Sequence, residues 1–196
     1  MQIAARGVRD ARVLAAMGKV PREVFGSWGM EAEAYFDHPL PIGRGQTISQ
    51  PYVVALMSEL AELKGGEVVL EVGTGCGYQT AVLAELAREV YSLEIVPELA
   101  ERAARTLAGL GYANVCVRTG DGHAGWPEKG MFDAVVLTAA PARVPEALLE
   151  QLKEGGRLVV PEGVEDGQVL RVYRREGAKY AVKDVLPVRF VPMIRS

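Results

Sequence analysis

Long apolar runs are missing from this 196-residue sequence. No stretch approaches ~20 consecutive apolar residues, so no transmembrane helix is expected. Cysteine is scarce: Cys76 and Cys116 are the two present. Neither sits in a C-x-x-C spacing or beside a histidine, so no metal site is expected. Both fall on or beside predicted strands, where a thiol reads as a small packing residue. Histidine is equally sparse. His38 and His123 lie in predicted loops, without a Ser or Cys partner at a recognisable spacing. An excess of one charge is also absent. The 22 Lys and Arg against 25 Asp and Glu leave a net charge of −3, and no nucleic-acid partner is expected. Residues 1–17 carry charge throughout and hold no apolar signal core, which points to the cytoplasm. There is no linker, repeat or low-complexity segment. One domain over 1–196 is therefore expected, with 1–65 as an N-terminal helical elaboration and 66–196 as the core.

What is present is concentrated in Val68 to Thr80, VVLEVGTGCGYQT. Val68, Val69, Leu70 and Val72 form a short apolar run that suits a buried parallel strand. Gly73, Gly75 and Gly77 follow in alternation, and Tyr78 to Ala87 has apolar residues at helical spacing. Strand, glycine turn and helix start together make a place for a nucleotide or nucleoside, because glycine lets a ligand approach the main chain. A dinucleotide fingerprint needs a small residue where this chain has Tyr78 or Thr80. A phosphate-binding P-loop needs G-K-[ST], which is absent. Glu71, at the strand's end, is expected to point an acid at the ligand. Such an acid suits hydroxyls or an ammonium group and repels a pyrophosphate.

Around this motif, Arg9 to Met17 reads as an amphipathic helix and Glu33 to Arg44 as an ordered loop. Tyr52 to Leu63 reads as a helix with Pro51 in its first turn, capped by Ser49 or Gln50. Beyond Val68 the pattern alternates. Strands are predicted over 68–72, 90–95, 115–118, 132–137 and 157–160, with helices over 78–87, 97–110 and 145–152. A final antiparallel pair covers 170–174 and 183–191. This is the pattern of a doubly wound α/β sheet, mostly parallel, with helices on both faces.

Ligands of such sheets lie beyond the carboxyl ends of the strands. Those ends offer Glu94, about 20 residues past the glycines and able to accept both hydroxyls of a ribose. They offer Asp121-Gly122, which reads as an adenine contact or as a plain turn. They also offer Thr138-Ala139-Ala140, small enough to leave room for a substrate. No strong candidate for a general base stands out. An acceptor already ionised at pH 7, such as a carboxylate, needs none. Ser49 could hold such a carboxylate, or could simply cap its helix.

The E-V-G-T-G-x-G pattern resembles the first motif of class I S-adenosylmethionine-dependent methyltransferases. Gly45-Gln46-Thr47-Ile48-Ser49-Gln50-Pro51-Tyr52, taken with residues 71–79, narrows the resemblance to the protein-L-isoaspartate O-methyltransferases. Val20-Pro21-Arg22-Glu23, Pro39 to Gly43, Gly120-Asp121-Gly122, Thr138-Ala139-Ala140, Gly155-Gly156-Arg157 and Phe190-Val191-Pro192 fit as well, so the likeness spans nearly the whole chain. The resemblance implies a seven-stranded methyltransferase sheet and methyl transfer from S-adenosyl-L-methionine, with S-adenosyl-L-homocysteine as product. The acceptor it implies is the free α-carboxyl of L-isoaspartyl residues in damaged proteins, with D-aspartyl residues as a second class. Repair then proceeds through a succinimide. It further implies Ser49 as the catalytic residue. Gln46, Thr47, Ile48, Ser49, Glu71, Gly73, Thr74, Gly75, Glu94, Asp121 and Gly122 are expected at the cofactor. Ser49, Thr138, Ala139, Val191 and Pro192 are expected at the substrate, and the chain is expected to act as a monomer. A nucleic-acid methyltransferase would more often show an N/D-P-P-[YF]-type motif where this chain has Thr138-Ala139-Ala140-Pro141.

Overall fold

Asp10 starts the first long helix by accepting hydrogen bonds from Arg12 N and Val13 N. In the computed structural model, which describes residues 2–26, 29 and 31–195, a single turn α1 (Gln2–Ala5) precedes that helix, α2 (Ala11–Lys19). The expected loop over 33–44 is instead half of a small antiparallel hairpin. Strand β1 (Leu40–Gly43) pairs with β2 (Gln46–Ile48). Two prolines hide β1 from a sequence reading, because they break the usual strand composition. The turn uses Arg44 and Gly45 at φ 55° and 71°, the two successive positive φ values that a tight hairpin demands.

Helix α3 (Pro51–Leu60) follows, three residues shorter at its end than expected. Then come β3 (Val68–Val72), α4 (Tyr78–Leu86), β4 (Glu89–Glu94), α5 (Pro97–Gly109), β5 (Val115–Thr119) and β6 (Phe132–Leu137), each within two residues of its predicted bounds. Helix α6 is only Glu146–Glu150, because β7 (Leu152–Glu162) already begins at Leu152 and runs through Gly155-Gly156. Glycine is needed there. A Cβ on Gly156 would stand 2.9 Å from Lys153 O and 3.0 Å from Asp133 O, where the register with β6 slips. Strands β8 (Val169–Glu176) and β9 (Lys179–Pro187) form an antiparallel pair as expected, but β9 lies four residues earlier than the predicted 183–191.

The large sheet has seven strands in the order β5-β4-β3-β6-β7-β8-β9. Strands β3 to β7 are mutually parallel, and β8 runs against both of its neighbours. Alternate residues of each strand feed two cores. Val69, Val90, Ala134, Val136 and Val159 pack with residues of α2, α3, α4 and α5. Leu70, Val72, Leu93, Val135, Leu137, Leu158 and Val160 pack with Leu148 of α6 and Trp126. Helices cover both faces, unevenly. The reading of both cysteines as packing residues holds for Cys76, which is buried, but not for Cys116, which is exposed on edge strand β5. The opposite edge is β9, where Ala181, Val182, Lys183 and Asp184 are exposed. Among the described residues no helix is long and apolar enough to cross a membrane.

Candidate functional site

The order β3-β6 beside β3-β4 puts the chain's reversal of direction at β3, where a crevice opens beyond the strand ends. The glycine loop fills that point. Gly73, Gly75 and Gly77 all have positive φ, at 100°, 57° and 94°. Gly73 N and Thr74 N both donate to Leu93 O, at 2.8 and 3.2 Å, which ties the loop to β4. Thr138 Oγ1, at the end of β6, donates to Gly73 O and to Val72 O. A side chain at Gly73 would collide with that hydroxyl. Gly77 stands at the start of α4, so the loop delivers the helix N-terminus to the crevice.

Glu94 closes β4 and lines the crevice while 5% exposed. Its Oε2 accepts from Gly75 N at 2.7 Å and its Oε1 from Val96 N at 3.0 Å. Each carboxylate oxygen has a second lone pair, so two acceptor sites remain for a diol. Gly120 and Gly122 line the opposite wall, and a Cβ on Gly122 would overlap Val72 Cγ1. Together these residues bound a cavity of about 810 Å³, its mouth included. Gln46, Thr47, Ile48 and Ser49 of the hairpin side lie over it, with Thr74, Ala139, Val191 and Pro192. A loop of backbone amides, a doubly tethered acid and an apolar wall with no P-loop lysine suit a nucleoside without phosphate.

Two expected cofactor residues stand elsewhere. Asp121 sits between the lining glycines but does not line the cavity, and its Oδ1 accepts from His123 N at 2.9 Å and meets His123 Nδ1 at 2.7 Å. Glu71 does not line the cavity either. It is 0% exposed beneath the loop, opposite Ser92 in the β3–β4 register. Glu71 Oε2 accepts from Thr80 Oγ1 at 2.5 Å and from Ser92 Oγ at 2.6 Å. Ser92 Oγ in turn lies 2.5 Å from Thr74 Oγ1, so the acid supports the loop from below through hydroxyls.

Burial pushes the Glu71 carboxyl up to about 8, against the opposing pull of the Ser92 and Thr80 hydroxyls and with a push from the Glu94 charge. The folded chain therefore holds a proton that the unfolded chain releases near the ordinary value of 4.5. Between those two values the folded state binds more protons, and this group's contribution to stability falls as pH rises. Across about pH 5 to 8, the melting temperature of the wild type is expected to fall more steeply than that of Glu71→Gln, whose amide cannot ionise. Equal slopes would mean that the carboxyl is ionised throughout that range.

A second groove, about 1370 Å³ with its mouth, runs beside the first. Arg6, Pro39, Gln50, Tyr52, Val53 and residues 186–190 line it alone. Thr47, Ser49, Thr138 and Val191 line both spaces. Ser49 thus stands at the junction, with no hydrogen-bond partner for its hydroxyl among the described residues. It is not the helix cap. Gln50 holds the cap position of α3 without a side-chain bond. The first free amide, Tyr52 N, donates to Asp37 Oδ1 at 3.1 Å. Asp37 also receives Gln50 Nε2 at 2.8 Å and the Arg6 guanidinium, which lies 3.7 Å over the Tyr52 ring.

The C-terminal segment closes both spaces. Ala140 N donates to Val191 O, and Met193 N to Ala140 O, both at 2.8 Å. Leu93, Ile95, Met193 and Ile194 also line the first cavity, although no sequence motif singled out their roles. Met193 and Ile194 directly follow the Val-Pro motif, which was the available signal. Arg6 carried none. Among the described residues no group of three or more His, Cys, Asp and Glu is placed to hold a metal ion.

The family model described as Protein-L-isoaspartate(D-aspartate) O-methyltransferase matches residues 1–196. A Protein-L-isoaspartate O-methyltransferase of Synechococcus sp. is 54% identical over 200 residues, covering 98% of this chain and 82% of the relative. One from Anaeromyxobacter dehalogenans is 60% identical over 191 residues, covering 95% and 91%. A solved protein-L-isoaspartate O-methyltransferase superposes with TM-score 0.87 at 31% identity, over 97% of this chain and 63% of that one. A Plasmodium falciparum structure assigned to the same activity, in complex with S-adenosyl-L-homocysteine, gives TM-score 0.87 at 26% identity, over 100% and 96%.

Proposed function

Because the chain belongs to the protein-L-isoaspartate(D-aspartate) O-methyltransferase family, we propose that it methylates the free α-carboxyl of L-isoaspartyl residues in damaged proteins, with S-adenosyl-L-methionine as donor. The ester then closes to a succinimide, which reopens in part to normal aspartate. One observation carries this reading: the cavity at the glycine loop and an open groove meet at a serine with an uncommitted hydroxyl.

S-adenosyl-L-methionine supplies, when bound, an electrophilic methyl group on a sulfonium. The chain's own residues supply placement. Glu94 offers its two remaining acceptor sites to the ribose diol. Gly73, Thr74 and Gly75 give close approach along the main chain, and Gly122 keeps space for the adenine. Gln46, Thr47 and Ile48 cover the cavity. The groove takes an extended peptide against Tyr52, Val53 and Phe190. Ser49 donates to one oxygen of the isoaspartyl carboxylate and fixes its direction, while Thr138, Ala139, Val191 and Pro192 bound the space around it. The acceptor is anionic near neutral pH, so no base has to remove a proton. Bringing two reactants together in line is the larger part of such a displacement.

The same reading takes the chain as one domain that acts as a monomer in the cytoplasm on protein and peptide acceptors, without a nucleic-acid partner. Its test uses one peptide in two forms, with isoaspartate or aspartate at a single position, and follows methyl transfer from labelled S-adenosyl-L-methionine. Turnover is expected on the isoaspartyl form alone. Equal turnover on both forms, or none on either with cofactor bound, would overturn the acceptor assignment.

A further inference from the structure

Gln168 belongs to none of the motifs that mark the site, yet it is 4% exposed. A polar side chain at that depth needs partners. It finds both on one residue: Phe190 N donates to Gln168 Oε1 at 2.6 Å, and Gln168 Nε2 donates to Phe190 O at 3.1 Å. Its backbone carbonyl accepts from Val188 N at 3.0 Å. Three hydrogen bonds therefore tie segment 188–190 to a single residue, just past the Val169↔Pro187 pair where the β8–β9 ladder ends. The loop before it is folded tightly. A Cβ on Gly163, at φ 131°, would stand 2.5 Å from Gly167 O and 2.9 Å from Gln168 Cα.

The segment has a second, separate anchor at Ala140, which binds Val191 and Met193. The two anchors divide the segment by what it lines. Residues 188–190 wall the groove alone, Val191 walls both spaces, and residues 192–194 wall the cavity with the glycine loop. Gln168 holds the first part and Ala140 the second.

We infer that Gln168 is a positioning residue for the acceptor: it holds the 188–190 wall at the spacing that lets a peptide carboxyl reach Ser49, and it acts on the peptide side without acting on the cofactor side. The inference rests on the reading of the groove as the peptide site. The amide is the group required. It brings one donor to a carbonyl and one acceptor to an N–H. A carboxylate would turn a second acceptor toward Phe190 O, and a thioether would leave both backbone groups without a strong partner.

The test compares the wild type with Gln168→Met and Gln168→Glu. Calorimetry with S-adenosyl-L-homocysteine counts the binding-competent enzyme, and kcat and peptide KM are then measured per competent site. Gln168→Met is expected to raise the KM of an isoaspartyl peptide about tenfold, with the S-adenosyl-L-homocysteine Kd within about twofold of the wild type. Gln168→Glu is expected to regain peptide affinity relative to the wild type as pH falls, because a protonated carboxyl restores one donor beside one acceptor. Gln168→Met should show no such recovery. If either variant loses competent sites while the peptide KM of the remainder stays at the wild-type value, the role is structural only and the inference is overturned. Equal weakening of peptide and cofactor overturns it as well. A wild type that fails to methylate the isoaspartyl peptide would overturn the functional reading and this inference together, whereas an active wild type with an insensitive KM would overturn the inference alone.

Discussion

Ser49→Ala is expected to lower kcat on an isoaspartyl peptide by about a hundredfold while leaving the cofactor Kd within about twofold, since misplacement of a reacting group by about 1 Å carries a penalty of that order. The expectation follows from position. Ser49 lines both spaces, and its hydroxyl has no other commitment among the described residues. Its loss should also be nearly silent in stability, because Asp37 rather than Ser49 receives the first free amide of α3. Steady-state methyl transfer, cofactor calorimetry and a melting curve on the same preparation test all three parts. A kcat within about twofold of the wild type would remove Ser49 from the reaction. A comparable loss of cofactor affinity would reassign it to the nucleoside cavity.

Gly73→Ala is expected to cost about 3 kcal/mol of folding stability and to abolish measurable cofactor binding. Two penalties act at once. The residue has φ 100°, outside the range that an L side chain adopts easily, and its Cβ would drive into Thr138 Oγ1. That hydroxyl cannot simply withdraw, because it donates to Gly73 O and Val72 O, and moving it opens the wall shared by both spaces. Gly75→Ala makes the control. Its φ is 57° and its nearest neighbour would be Ile42 Cδ1 at 3.4 Å, so a loss of about 1 kcal/mol is expected. Urea unfolding of the two variants measures the difference directly. Equal losses would mean that the Thr138 contact relaxes freely and that backbone strain alone governs the loop.

What the sequence made legible here was mostly local. The apolar run ending in Val72, the alternating glycines and the acid at Glu94 carry their places in the fold in their spacing, and β3, α4 and β4 lie where that spacing puts them. Glu71 was legible as important but misread in direction. A strand end offers two faces, and only the register with Ser92 and the approach of Thr80 decide that the carboxyl turns inward. The β1–β2 hairpin was illegible because Pro39 and Pro41 look like loop punctuation, while the turn is made by Arg44-Gly45 rather than by a familiar Asn-Gly. Gln168 and Arg6 were illegible for another reason. Their partners, Phe190 and Asp37, lie 22 and 31 residues away, and no periodicity connects them.

The outer edge of β9 carries a consequence for the company this enzyme keeps. An unpaired strand edge is a template on which another chain can lay down a strand. Lys179, Lys183 and Asp184 are exposed along β9, and Pro187 ends it. A foreign strand would have to strip water from those charges and would find no N–H at the proline. Strand addition at the sheet's outer edge is thus discouraged by the chain's own charges and proline.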